Sequence, residues 1–247
     1  MEEISIFIDD GGVISNNTIR GKQWQDLIIE YLIPRYGGEP KAWREANIQV
    51  MNKILKNTER MMREKPNLEY KQYQTFEDET WITYMFDYVG LELPPKQDYY
   101  KISRDVEAWV TPQIKADIPG IIPAIKKLKS EGYVLHTASG ESSFLLKGYL
   151  TGMGILNLFN NLYGPDLVGI MKGGPKFYRR IFEHAQIQPS QAIVVDDKPG
   201  LLQFAKELGA RVIQSCVLTD SVPIHEYYYN DPVELPKLIK SMLMKKS

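Results

Sequence analysis

The hydrophobic pattern changes character along the chain. Glu3 to Ile8 is a short run dominated by isoleucine and phenylalanine. It reads as a buried strand that stops abruptly at Asp9-Asp10-Gly11-Gly12. From residue ~20 to ~110 strand signals almost vanish. Apolar side chains at Trp24, Leu27, Ile28, Tyr31 and Leu32 follow a helical stripe, as do Trp81, Tyr84, Met85 and Tyr88. Gly37-Gly38 and Pro94-Pro95 punctuate these stretches. The pattern predicts an all-helical insert of several helices, its aromatic stripes forming its own core.

From residue ~112 onward strands and helices alternate. Helices are predicted at Ile121 to Ser130, Ser142 to Leu150, Pro175 to Ala185 and Pro199 to Leu208, with a last one starting at Pro232 behind an Asp231 cap. Strands are predicted at Tyr133 to His136, Leu162-Tyr163, Ala192 to Val195 and Arg211 to Ile213. Alternation of this kind implies an α/β fold, a parallel sheet with helices on both faces. Ligands of such sheets sit at the carboxyl ends of the strands, so the residues just after each strand are the candidates for chemistry.

Composition narrows the options. The chain has 247 residues, enough for a core domain with a smaller one attached. Its net charge of −1 gives no basic field for nucleic acid, so a phosphorylated ligand would be attracted locally. Cys216 is the single cysteine, which excludes an internal disulfide and suits a reducing compartment. Three scattered histidines, His136, His184 and His225, argue against zinc. Met1-Glu2-Glu3 lacks the basic and apolar character of a signal peptide, and no apolar run has the length of a membrane span. The expectation is a cytoplasmic protein without nucleic-acid or membrane partners; oligomeric state stays open.

Four strand ends or helix starts carry the chemistry. Asp9 is an exposed-type carboxylate before a glycine turn, suited to attack phosphorus. Thr137, with Ala138 and Ser139, offers a hydroxyl and backbone N–H groups for phosphoryl oxygens. Lys172 precedes a helix and can neutralise nucleophile and phosphate together. Asp196 and Asp197 follow the apolar run Ile193-Val194-Val195 and suit a hard cation such as magnesium. Singly, each has a plainer explanation: an Asp-Gly turn, a helix-capping loop, a solvated lysine, a capping turn. In one order on one alternating fold, they supply what phosphoryl transfer needs.

The arrangement resembles the haloacid dehalogenase superfamily, a group dominated by phosphatases. Ile4-Ser5-Ile6-Phe7-Ile8-Asp9-Asp10-Gly11-Gly12-Val13 is similar to its first motif, and Tyr133 to Ser139 to its second. Lys172 with Gly173-Gly174-Pro175-Lys176-Phe177-Tyr178 is similar to the third, and Val194 to Gly200 to the fourth. The resemblance implies a Rossmann-like core from residues 1–16 and 112–247, with 17–111 as a helical cap. It implies a covalent intermediate on Asp9, phosphate held by Thr137, Ala138, Ser139, Lys172 and Gly12, and Mg2+ held by Asp9, the Gly11 carbonyl and Asp196 or Asp197. Water then hydrolyses the aspartyl-phosphate. The implied substrate is a small phosphate ester or an acyl or aryl phosphate.

One position departs from the family pattern. The second residue after the nucleophile is an Asp general acid in the family's phosphatases, and here it is Gly11. General acid–base help is worth about 10²–10⁴-fold, so good leaving groups, or a proton from Asp10 or a cap side chain, are expected. Two other readings stay open: a metal-free 2-haloacid dehalogenase, and a weakly active or non-catalytic binding module with an aromatic-rich insert.

Overall fold

The computed structural model describes residues 4–218 and 221–244. Glu3, where the first strand was expected to begin, lies outside them, as does the rest of the Met1-Glu2-Glu3 start. Six parallel strands form one sheet in the order β3-β2-β1-β4-β5-β6. These are β1 (Ser5–Ile8), β2 (Val134–Ala138), β3 (Asn161–Tyr163), β4 (Ala192–Asp196), β5 (Arg211–Ser215) and β6 (Tyr228–Tyr229). The α/β parallel-sheet expectation therefore holds.

Both faces of the sheet are covered, and the strands show why. Along β1, Ile6 and Ile8 enter one buried cluster while Phe7 enters the other. In β4, Ile193 and Val195 lie on the first face and Ala192 and Val194 on the second. Period-two alternation between two apolar layers produces the unbroken hydrophobic runs seen in the sequence. The first face carries α5 (Ile121–Ser130) and α10 (Leu235–Met244); the second carries α8 (Pro175–Ala185) and α9 (Pro199–Glu207). Pro175 and Pro199 open their helices at the first turn, where a missing N–H costs nothing. Ser142 caps α6 (Ser143–Gly152) through the N–H of Leu145, and the short α7 (Pro165–Val168) follows β3.

Four helices occupy the stretch without strand signals: α1 (Asn17–Tyr36), α2 (Pro40–Glu64), α3 (Tyr70–Val89) and α4 (Tyr99–Val110). Asn16 caps α1 by accepting from the N–H groups of Thr18 and Ile19. Ile28, Tyr31, Leu32, Trp81 and Met85 join Trp43, Phe86 and Val106 in a third buried cluster, while Trp24, Leu27 and Tyr84 pack at its margin. Tyr88 instead faces outward, 39% exposed.

Two junctions tie these helices to the sheet. Ser15 bridges Asp117, with Asn16 N–H on the Ala116 carbonyl (2.7 Å) and Ile118 N–H on that of Ile14 (2.8 Å). Glu69 bridges Ile170, with Met171 N–H on the Leu68 carbonyl (3.0 Å) and Tyr70 N–H on that of Gly169 (3.3 Å).

Several strands run further than expected: β4 takes in Asp196 and β5 reaches Ser215. β2 runs through Thr137 to Ala138, because Thr137 and Ala138 continue the ladder to β3. No strand is predicted in the aromatic segment 224–230. Part of it is β6, whose Tyr229 is buried at 1% exposure against the first face. Among the described residues, no helix is long and apolar enough to cross a membrane.

Candidate active site

The site forms where β1 and β4, the two central strands, end side by side. The N–H of Asp9 still donates to the Val195 carbonyl (2.9 Å), so the sheet itself fixes where the Asp9 side chain starts. Carboxylate oxygens of Asp9, Asp196 and Asp197 come within 4.8 Å of one another. The Lys172 ammonium, delivered by the loop before α8, lies 2.9 Å from Asp9 Oδ1 and 2.6 Å from Asp196 Oδ2. It also donates to the Ala138 carbonyl at 2.7 Å. Asp196 Oδ1 accepts from the backbone N–H of Lys198 (2.8 Å), and Asp197 Oδ2 pairs with the Lys198 ammonium (2.9 Å). Residues separated by more than 180 positions are thus brought to one point by strand order.

The electrostatics follow from burial. Asp9 is 8% exposed and Asp196 fully buried. Loss of solvent pushes the Asp9 carboxyl up to about 7 despite the pull of Lys172, and neighbouring Asp196 adds to the rise. Burial likewise raises Asp197, against the opposing Lys198. Burial works against the charge on Lys172, yet Asp196 and Asp9 hold its ammonium well above the ordinary range.

The donor set fits a hard divalent cation. Three carboxylates converge, and Asp197 Oδ1 is a buried atom without a hydrogen-bond partner among the described residues. Two lysines, buried Lys172 and largely exposed Lys198, face three carboxylates, which leaves the set under-neutralised.

Other predicted residues are placed differently. Thr137 lies inside β2, opposite Ile8, and its hydroxyl donates to the Tyr163 carbonyl at 3.2 Å. The strand runs two residues beyond His136, which places Ala138 in the ladder, and the Ala138 carbonyl accepts from Lys172. Ser139 Oγ accepts from the N–H of Glu141 (3.1 Å), and its own N–H goes to Tyr163. The N–H of Gly12 donates to the Ser15 carbonyl, and a Cβ on Gly12 would meet Asp197 Oδ2 at 2.5 Å. With φ of +83° as well, glycine is required there.

Gly11 is a matter of space. A Cβ there would lie 2.9 Å from Asn17 Oδ1 and 3.4 Å from Arg20 Nη2. The volume an acid side chain would enter is filled from the first turns of α1. Asp10 does not replace it: fully buried, it accepts from the Ser15 hydroxyl (2.7 Å) and from the Arg20 guanidinium. Arg20 also faces Glu141 at 3.4 Å and lies over the Tyr149 ring.

Beyond Asn17 and Arg20 opens a cavity of about 500 Å3 between α1–α4 and the start of α6. Trp24, Met51, Ile54, Trp81 and Leu145 give it apolar walls. Glu77, Asp78, Glu107 and Glu141 also line it. None of these polar residues stood out in the sequence. Only the proximity of Asn17 and Arg20 to the first motif hinted at them.

Comparison with known proteins decides the family. A family model described as haloacid dehalogenase-like hydrolase matches residues 44–215, well over half of the chain. The chain belongs to this hydrolase family. The matched span holds Lys172, Asp196 and Asp197, whereas Asp9 precedes it. Enolase-phosphatase E1 of Klebsiella oxytoca is 35% identical over 99 residues, 39% of this chain and 42% of that protein. The chain therefore spans less than half the length of the curated relative it matches. The L-2-haloacid dehalogenase of Xanthobacter autotrophicus shares the fold at a TM-score of 0.62 and 13% identity, covering 97% of this chain and 99% of that one. A predicted phosphoglycolate phosphatase of Haemophilus somnus 129PT does so at 0.60 and 15%, with coverage of 97% and 99%.

Proposed function

We propose that this hydrolase is a magnesium-dependent phosphatase acting through an aspartyl-phosphate on Asp9. The observation that carries the reading is the cluster itself: Asp9, Asp196 and Asp197 within 4.8 Å, with Asp197 Oδ1 left without a hydrogen-bond partner among the described residues. Two carboxylates beside the Asp9 carboxylate, one of them fully buried, concentrate negative charge that a bound cation would balance. A phosphoryl group brings negative charge and needs a counter-cation. The name of the enolase-phosphatase relative points the same way. Residues 1–16 and 112–247 serve as catalytic core and 17–111 as cap in this reading.

Asp9, the carbonyl of Gly11, Asp196 and Asp197 would hold Mg2+, which supplies charge neutralisation at the phosphoryl oxygens. Lys172 keeps Asp9 anionic enough to attack and directs its free oxygen by holding Oδ1. A carboxylate oxygen of Asp9 bonds to phosphorus as the ester oxygen leaves with the bonding pair. Water then attacks the aspartyl-phosphate and restores the carboxylate. Gly11 offers no proton to the leaving oxygen, and Asp10 is occupied by Ser15 and Arg20. Esters and anhydrides with good leaving groups are the substrates this site turns over. Thr137, turned toward Tyr163, is assigned no part in the transfer.

The test is an assay of purified protein on an aryl phosphate and acetyl phosphate, with magnesium and with chelator. Metal-dependent turnover is expected, lost by about 10³-fold or more in Asp9→Asn. Full activity of the variant, or in excess chelator, refutes the reading. Gly11 alone favours a second reading, a metal-independent dehalogenase. Halide release from a 2-haloacid in chelator would establish it.

A further inference from the structure

The cavity beside the catalytic loop has an unusual charge balance. Five buried or half-buried carboxyls surround it, counting Asp10 behind Arg20, and two arginines serve them. Arg20 is shared between Asp10 and Glu141. Arg104, behind the wall, is shared between Glu107 (2.6 Å) and Asp78 (3.5 Å). Among the described residues, Glu77 accepts from the Tyr73 hydroxyl at 2.8 Å and makes no ion pair, with Arg104 acting on it from further off. Among the described residues, Arg20 is the sole cation on the lining, and both its anions already claim it.

The strain appears in the carboxyls themselves. Burial pushes Glu77 up to about 7 even against the Tyr73 hydrogen bond, and Glu141 adds to the rise. Burial pushes Glu107 up to about 9, although Arg104 opposes it. Glu141 is raised as well, by burial first, with Arg20 opposing. The Ser103 hydroxyl lines the same cavity at 5% exposure and has no hydrogen-bond partner among the described residues. Trp24 and Trp81 supply flat apolar walls. The cavity is therefore apolar in shape and short of positive charge.

The geometry points to a leaving-group site that takes an apolar or aromatic body bearing a cationic amine and turns away leaving groups that carry a carboxylate. This rests on the phosphatase reading, which places the phosphoryl group at Asp9 and the rest of the ester across Asn17 and Arg20. An ammonium between Glu77 and Glu141 completes pairs the protein leaves open, with the indoles flanking it. A second anion there would meet carboxylates without a free partner. The fit is with the phosphate monoester of a phenol or alcohol that also bears an alkylammonium group.

Three phosphate esters of one ring separate the possibilities: those of tyramine, para-ethylphenol and para-hydroxyphenylpropionate. With the full chain and magnesium, kcat/KM is expected to be about tenfold or more higher for the tyramine ester than for the propionate ester, the effect of one added ion pair. Glu77→Gln is expected to shrink that ratio several-fold. Equal rates on both charged esters, or a higher rate on the propionate, overturn the proposal. Tryptophan fluorescence gives a readout that needs no turnover. Tyramine is expected to quench Trp24 and Trp81 at concentrations where para-hydroxyphenylpropionate does not. Selective quenching with no hydrolysis of any ester keeps the pocket and rejects the phosphatase reading. Hydrolysis of all three esters without selectivity keeps the phosphatase and rejects the pocket.

Discussion

The catalytic mouth and the cavity beside it both bury several carboxyl groups, and they balance them by different means. At the mouth, one ammonium, Lys172, is held between Asp9 and Asp196 and bonds a backbone carbonyl as well. Those carboxylates come from the ends of adjacent strands, so their positions are as rigid as the sheet. In the cavity, carboxyls from α3, α4 and the loop after β2 share two arginines, and among the described residues Glu77 makes no ion pair with either. At the mouth, Lys172 stays charged between Asp9 and Asp196 and opposes the rise that burial imposes on Asp9. The cavity is arranged so that part of its charge is given up until something positive enters. A site for a phosphoryl group and a site for a leaving group call for those two conditions respectively.

Removing the mouth's cation breaks the comparison most. Lys172→Met leaves Asp196 fully buried without its ammonium. A loss of about 3–5 kcal/mol is expected from chemical denaturation in chelator, because an uncompensated buried charge remains. A change below about 1 kcal/mol would mean that the carboxylates simply take up protons, as the cavity groups do.

Arg104→Met tests the opposite expectation in the cavity. Asp78 and Glu107 lose their partner, and a loss of about 2 kcal/mol is expected at neutral pH. Both carboxyls are already raised, first of all by burial. Glu107, at about 9, already carries its proton at neutral pH, so the charge left unpaired is chiefly that of Asp78; lowering the pH lets Asp78 protonate, and the penalty should shrink. A penalty independent of pH would contradict the charge-sharing account.

The smallest effect sharpens it. Glu77 has a folded-state value of about 7 against an ordinary 4.5, so the folded chain binds more protons than the unfolded chain between those limits. Stability from this group is fully present below about 4.5 and declines as pH rises through 7. Relative to wild type, Glu77→Gln is expected to gain about 1–2 kcal/mol between pH 5 and 8, after discounting for partial exposure. Parallel stability profiles of the two proteins would refute it.

Much of the core was legible in the sequence because its signals are local. Ile193-Val194-Val195 had to be a strand covered on both faces, and Pro175 marked the start of α8 within a residue. Lys172 and the Asp196-Asp197 pair follow from such boundaries, since strand ends place them. Thr137 shows how thin that margin is. The ladder runs on through Thr137 and Ala138, and the Thr137 hydroxyl donates to the Tyr163 carbonyl. β6 was hidden because Tyr228 and Tyr229 form a two-residue strand among aromatics that read as loop packing. The cavity carboxyls were not legible at all. Glu77, Glu107 and Glu141 lie on separate elements, and each looks like an ordinary solvated helix or loop residue until packing removes the water.

The second junction between the helical insert and the sheet has a mechanical consequence. Met171, the neighbour of Lys172, gives its N–H to Leu68 of the insert, and Gly169 receives the N–H of Tyr70. Gly173, on the other side of Lys172, approaches α2 so closely that a Cβ would meet Met62 Cε at 2.3 Å. The short peptide carrying the mouth's buried ammonium is therefore clasped from the insert on both sides. Any displacement of the insert relative to the sheet must either unfasten this clasp or drag Lys172, and with it the charge beside Asp9, along.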